Sequence, residues 1–279
     1  MQLLCGSEGT LGIVTEITLR LLPKPAQAVD LMVPFPSIDA AVRACTAVIR
    51  ARIVPATMEF MERAAVLAAE RFLEKPAPFR DAEAHLLMQL DGDDPAALAA
   101  QYERIGAIVS GFGAPDVLVA EDRPARDRIW EMRRCMADAL TAMSPVRERE
   151  DVVVPRAAIP ELFRRLRALS QAHGAAIISY GHIGDGNVHV NVMKQAMAAD
   201  EWGRMLPALL DGLFRDVVAL GGTISGEHGI GCVKQRFLPL ALDPAAIAMM
   251  RAVKGAVDPG NILNPGKILP DRAAPSRRR

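Results

Sequence analysis

The alternation of apolar and polar positions divides the chain into strand-like and helix-like segments. Residues 11 to 22, LGIVTEITLRLL, set Ile17, Leu19 and Leu21 against Thr18 and Arg20, a period of two that predicts a half-buried strand ended by Pro23 and Pro25. Further strands are expected in AVDLMVPF, ATMEFM, AHLLMQLD, DVLVA, DVVVP, AAIISYG and NVHVNV. Helical spacing covers about 37–52, 62–73, 95–110, 123–142, 159–173, 201–220 and 244–255. Ser37 with Asp39, and Asp94 with Pro95, supply helix starts, because their side-chain oxygens can accept the first unpaired N–H groups. Elements of these lengths in this order predict α/β or α+β layering, with helices covering a largely antiparallel sheet, and the α+β arrangement is the expectation carried forward. The segment DPGNILNPGKILP reads as loop and turn.

Composition narrows the class without naming a function. A chain of 279 residues, 51 % of them hydrophobic, can bury one large core or two ordinary ones. Basic and acidic residues balance at 33 each, which removes any bulk electrostatic reason to expect nucleic acid. The end Arg277 to Arg279 reads as a solvated tail. Cys5, Cys45, Cys135 and Cys232 form no Cys-x-x-Cys pair, which excludes a zinc ribbon and suits reduced thiols in a cytoplasmic protein. No apolar run approaches the roughly 18 residues that span a bilayer, and peripheral attachment to a membrane stays open.

The chemistry concentrates in glycine-bounded segments. In SYGHIGDGNVHVNV, Asp185-Gly186 between two β-rich runs predicts a tight hairpin that pairs His182 with His189. Opposed residues project to one face with Cβ atoms about 4.5–5.5 Å apart, close enough for both imidazoles to share a metal ion, and Asn191 falls on that face. In GGTISGEHGIG, Glu227 and His228 point opposite ways if the segment is extended, so Glu227 can complete a two-His, one-carboxylate set while His228 serves as a base. Such a site suits metal-assisted hydrolysis, and equally a metal that grips the hydroxyl and carboxylate of a hydroxy acid. A solvated hairpin and a solvated loop remain alternatives on residue patterns alone.

Taken together, GSEGTLGIVTEITLRLLP resembles the closing stretch of the FAD-binding domain of vanillyl-alcohol-oxidase-type flavoproteins. HIGDGNVH, SGEHGIG and NPGKIL resemble, in order, signatures of the C-terminal domain of FAD-linked D-2-hydroxyacid dehydrogenases, the group of D-lactate dehydrogenase, the glycolate oxidase D-subunit and D-2-hydroxyglutarate dehydrogenase. The resemblance implies an antiparallel sheet with ferredoxin-like βα units. It implies a divalent metal, zinc or similar, on His182, His189 and Glu227, His228 as the catalytic base, and Asn191 as a substrate contact. In RIWEMRRC it makes Arg133 the partner of the substrate carboxylate, a role that a planar guanidinium suits. Glu8, Gly9, Gly12 and Ile13 are the implied FAD contacts.

The implied reaction is oxidation of a D-2-hydroxy acid to the 2-oxo acid, with electrons passed on to a quinone, a cytochrome, an electron-transfer flavoprotein or a partner subunit. Members acting on 2-hydroxyglutarate carry a threonine and a lysine where this chain has Ala137 and Arg149; Arg149 is thereby a further implied substrate contact, and the hydroxyl donor missing at Ala137 favours a smaller acid, D-lactate or glycolate. Residues 1–26 are expected to be the last part of an FAD-binding domain that is otherwise missing. Residues 27–258 are expected to form the substrate and metal domain, and 259–279 a segment returning toward the FAD domain. A metal-dependent hydrolase and a non-catalytic metal-binding fragment are the competing expectations.

Overall fold

A computed structural model describes residues 2–269, so the arginine-rich end lies outside the described residues. Contacts divide the chain into Pro23–Gly222 and a second unit made of the described residues on either side, 2–22 and 223–269.

The larger unit is built on a seven-stranded sheet in the order β4-β1-β3-β2-β6-β7-β5, antiparallel at every pairing. The strands are β1 (Gln27–Phe35), β2 (Thr57–Glu62), β3 (Ala84–Gly92), β4 (Leu118–Ala120), β5 (Arg147–Val153), β6 (Ala176–His182) and β7 (Asn187–Met193). Helix α1 (Ile38–Arg50) joins β1 to β2 with β3 inserted between them; α6 (Ile159–His173) joins β5 to β6 with β7 inserted between them. Both are split β-α-β arrangements of the ferredoxin-like kind, joined edge to edge by β2 and β6. Ser37 caps α1 by accepting from Ala40 N at 3.1 Å, and Asp94 caps α3 (Pro95–Ser110), as the sequence predicts.

The two faces of this sheet differ in chemistry. One carries Leu31, Val33, Met58, Phe60, Leu86, Met88 and Leu90, all buried, and meets α1, α3 and α6; the Phe60 and Phe163 rings touch edge to face at 5.1 Å. Helix α7 (Ala199–Ala219) packs on α6. The opposite face is covered by α2 (Arg63–Leu73), α4 (Arg123–Arg134) and α5 (Met136–Met143), whose buried residues cluster with Met32, Met61, Leu87, Ile178 and Tyr180. Between these apolar positions runs a row of polar side chains from Asp30 to Asn191.

Helix α4 matches that row. Asp30 on β1, fully buried, accepts from Gln89 Nε2, Arg126 Nε and Trp130 Nε1, each at 2.9 Å. Seven residues beyond Arg126, on the same helix face, Arg133 meets Glu59 on β2. The sequence pattern expects one helix over 123–142; instead the chain bends at Cys135, so that α4 follows the polar row and α5 packs on α2. Strand β5 begins at Arg147, ahead of the predicted DVVVP, because charged residues occupy its first positions at the edge of the sheet.

In the second unit, α8 (Leu238–Ala241) and α9 (Pro244–Val257) are its α-helices among the described residues. Residues 11–22 take no strand pairing there, and Ile17, Leu19 and Leu21 are 69 %, 73 % and 84 % exposed. The alternation predicts a strand, but a ladder requires a neighbouring edge, and none of the described strands offers one to this segment. Residues 258–269 are loop and turn as expected, held by Lys254, whose Nζ donates to Thr10 O at 2.9 Å and Leu263 O at 2.7 Å. Among the described residues no helix is long and apolar enough to cross a membrane.

Three outcomes follow from this packing. Asp30→Ala strands Arg126 and Trp130 without their acceptor and is expected to cost about 2–4 kcal/mol of unfolding free energy in urea titration. Gly181→Ala places a Cβ 2.4 Å from Asn187 O on the paired strand, so overpacking of about 2–3 kcal/mol is expected, with loss of the His182–His189 ring contact in NMR spectra. Burial pushes the Glu62 carboxyl up from its ordinary 4.5 to about 7, against the Ser179 N–H and the Arg167 charge that lower it. The folded chain thus binds this proton more tightly than the unfolded chain, and stability drains away as pH rises from about 4.5 through about 7. Glu62→Gln removes that loss: its melting temperature should match the wild type near pH 4 and exceed it at pH 8, and equal melting at both pH values would contradict the assignment.

Candidate metal and substrate site

The hairpin of β6 and β7 sets the geometry. The sequence predicts a two-residue turn with His182 opposite His189, but the ladder pairs His182 with Asn187 and Tyr180 with His189. Residues 183–186 form a four-residue loop in which, of those four, only Gly186 has positive φ, at +89°. A tight type I′ turn needs two such residues. The loop is closed by Gly186 N donating to His182 O at 3.2 Å and by Asn187 N donating to Asp185 Oδ1 at 3.1 Å. Ile183, 1 % exposed, is drawn into the core.

The slip amounts to two residues, and a shift by two preserves the face. His182 and His189 therefore still share one side of the sheet, now as diagonal neighbours, with ring centroids 5.2 Å apart and planes at 85°. A ring nitrogen of each lies within 4.8 Å of one from the other. The Tyr180 ring meets His189 edge-on at 5.3 Å, and burial raises the Tyr180 hydroxyl above its usual pKa although Arg133, Arg147 and Arg149 pull the other way.

Glu59, directly opposite His182 in the β2–β6 ladder, was not singled out by the sequence. It is 6 % exposed; its Oε1 lies 2.7 Å from His182 Nδ1, and its Oε2 accepts from Arg133 Nε at 2.8 Å and Nη2 at 2.6 Å. Burial pushes its pKa up, but the hydrogen bond from His182 and the Arg133 charge outweigh it and hold the carboxyl below its ordinary range. Arg133, called as a substrate partner, thus stands beside the hairpin with its guanidinium 4.9 Å from the Tyr180 ring centroid.

Asn191 is 2 % exposed and donates to Ile178 O at 3.1 Å while accepting from Arg147 Nη1. Arg147 also donates to Ala137 O and Thr141 Oγ1, both at 2.8 Å, and burial lowers its pKa. Arg149, the residue marked by the sequence, pairs with Asn191 in the β5–β7 ladder. Arg147 is a neighbour of the site that the sequence reading missed; its only signal is a charge pointing to the same face as Arg149, two positions away. Asp151, fully buried, accepts from Asn187 Nδ2 at 2.7 Å.

Glu227 and His228 belong to the second unit and are exposed in a loop without helix or strand. Glu8 closes that loop: its carboxylate accepts from Ile230 N at 2.7 Å and Gly231 N at 2.8 Å. Gly229, at φ +83°, has no room for a Cβ, which would stand 2.7 Å from Glu8 Oε1. Asn264 of the NPGKIL stretch donates to Glu8 O, so the sequence-predicted cofactor contact Glu8 also joins both ends of this unit. The same unit holds a cavity of about 880 Å³ with walls that include Leu3, Leu11, Met249, Met250, Val253 and Ile268, and Ser7, Thr10 and Lys254 at its polar margin. Gly9, Gly12 and Ile13 lie on the same stretch of chain as Ser7 and Thr10.

Comparisons with known proteins agree with this fold. Residues 24–268 match the family model described as FAD linked oxidases, C-terminal domain. The chain is 34 % identical over 273 residues to the D-lactate dehydrogenase of Anaerostipes hadrus, covering 96 % of this chain and 58 % of the relative. It is 36 % identical over 268 residues to the glycolate oxidase subunit GlcD of Bacillus subtilis (strain 168), covering 96 % and 56 %. A D-lactate dehydrogenase of Archaeoglobus fulgidus is 38 % identical over 269 residues, with 96 % and 58 % covered. The chain thus spans a little over half the length of these relatives. In fold it is similar to p-cresol methylhydroxylase with substrate bound, at a TM-score of 0.69 and 14 % identity over 89 % of this chain and 54 % of that one. With nearly all of its length inside the matched model, the chain belongs to the family of FAD linked oxidases, C-terminal domain.

Proposed function

We propose that this chain is the substrate- and metal-binding part of an FAD-linked dehydrogenase that oxidises a small D-2-hydroxy acid, D-lactate or glycolate, to its 2-oxo acid. The observation that carries the reading is the pair His182 and His189 on one sheet face beside Arg133. The names of the relatives, D-lactate dehydrogenase and glycolate oxidase subunit, point to the same chemistry.

The donor set fits a divalent ion. With His182 Nδ1 turned to Glu59, its Nε2 is assigned to the ligand bond, and imidazole pairs with a carboxylate are common zinc donors. His182 and His189 with Glu227 would hold the ion, which when bound supplies a Lewis acid for the substrate hydroxyl. His228 accepts the hydroxyl proton on a ring nitrogen. Arg133 spends Nε and Nη2 on Glu59, and its Nη1 is assigned to the substrate carboxylate, with Asn191 assigned as a further substrate contact.

The mainly apolar cavity of the second unit, with a few polar groups at its margin, fits part of a cofactor, and FAD when bound supplies the hydride acceptor. Glu8, Gly9, Gly12 and Ile13 are assigned to its neighbourhood, with Glu8 acting through the loop it closes. A quinone, a cytochrome, an electron-transfer flavoprotein or a partner subunit takes the electrons onward. Preference for a small acid rests on Ala137, which offers no hydroxyl, and on Thr141 one turn later, whose hydroxyl is already engaged by Arg147 and Ala137 O.

The test uses the flavin-loaded enzyme that contains this chain, with D-lactate and glycolate as substrates, a dye as acceptor and elemental analysis of the protein. His228→Ala should lower kcat by about 10²–10⁴ while one divalent ion per chain is retained. His182→Ala should lose both the ion and turnover. Retention of the ion in His182→Ala together with its loss in His228→Ala would reverse the two roles and contradict the reading.

A further inference from the structure

We propose that Glu59 is a positioning residue shared by the two halves of the site: one carboxylate oxygen sets the tautomer of His182, and the other fixes the Arg133 guanidinium. The proposal rests on the metal reading above and goes beyond it, because neither the motifs nor the comparisons single out Glu59.

Geometry carries the argument. Glu59 and His182 are directly opposed in the β2–β6 ladder, so backbone register, and not a flexible surface contact, brings Oε1 to 2.7 Å from Nδ1. An anionic carboxylate can only accept, hence the proton of a neutral His182 sits on Nδ1 and the lone pair on Nε2. A histidine ligand whose other nitrogen donates to a carboxylate is held in ring orientation and made more basic. Oε2 meanwhile takes both Nε and Nη2 of Arg133, whose side chain is 14 % exposed. One buried anion between a cation and an imidazole thus locks the distance between the groups assigned to the metal and to the substrate carboxylate.

A plain structural ion pair is the competing account, and the molecule contains its own control. Asp30 holds Arg126 of the same helix on the same sheet face, but its partners include no histidine. Loss of a structural pair should therefore act alike at Asp30 and Glu59, whereas loss of a positioning group should act on the imidazole at Glu59 alone.

The experiment has two readouts on the full chain. In the metal-free wild type, at a pH where the ring is neutral, long-range ¹H–¹⁵N spectra should show His182 as the Nδ1–H tautomer. Zinc affinity, measured by competition with a chromophoric chelator, should fall about 10–100-fold in Glu59→Gln and stay within about twofold in Asp30→Asn. An Nε2–H tautomer in the wild type overturns the proposal without any variant having to fold. Equal zinc affinity in wild type and Glu59→Gln, or an equal loss in both variants, overturns it as well. If the wild type itself binds no zinc, the metal reading fails together with the proposal, an outcome distinct from the other two.

Discussion

Two of the carboxylates buried in this sheet, Asp30 and Glu59, sit where a sheet would ordinarily be apolar, and one helix neutralises both. Asp30 and Glu59 are almost inaccessible, on strands β1 and β2 of the same face. A buried carboxylate left alone would cost several kcal/mol, so α4 has to present Arg126 and Arg133 at the spacing of two helical turns. This requirement orients α4, separates it from α5 at Cys135, and places a cation next to the histidine hairpin. The interaction also explains why one face of the sheet can carry chemistry while the other is filled by Leu, Met, Val and Phe.

Rigidity follows from the same arrangement. The imidazole pair rests on two central strands and not on a mobile loop, with Glu59 behind one ring and Tyr180 against the other. Sites held on strands with hydrogen-bonded support keep their geometry better than sites held on loops. Glu227 and His228 have a different kind of support: Glu8 gathers the N–H groups of Ile230 and Gly231, and Gly229 gives the backbone room to approach that carboxylate. In the proposed assignment, proton acceptance and the carboxylate ligand Glu227 fall to a loop, the two imidazoles to strands β6 and β7, and anion binding to Arg133 on α4.

Much of this was legible in the sequence, for identifiable reasons. Period-two runs revealed the strands of the larger unit, and Ser37 and Asp94 marked helix starts, because those signals are local. The hairpin was found but its register was read two residues short: Asp-Gly suggested a tight turn, while burial of Ile183 favoured a longer loop. Glu59 and Arg147 went unseen because their partners are distant in sequence, and only the β2–β6 and β5–β7 pairings bring them to the site. A hint existed in the lone carboxylates within ATMEFM and AVDLMVPF, since a charge inside an apolar strand must be paired once buried. Residues 11–22 show the converse case, a strand pattern with no edge to join among the described residues.

The central claim is that the polar row of this sheet holds a pair of imidazoles ready for one divalent ion. X-ray absorption spectroscopy on the zinc-loaded protein tests it most directly, because imidazole rings leave a characteristic outer-shell scattering. The account predicts two imidazoles and oxygen donors at about 2.0–2.2 Å with no sulfur. Sulfur scattering near 2.3 Å, which would place the ion on cysteine instead, or fewer than two imidazoles, would contradict it.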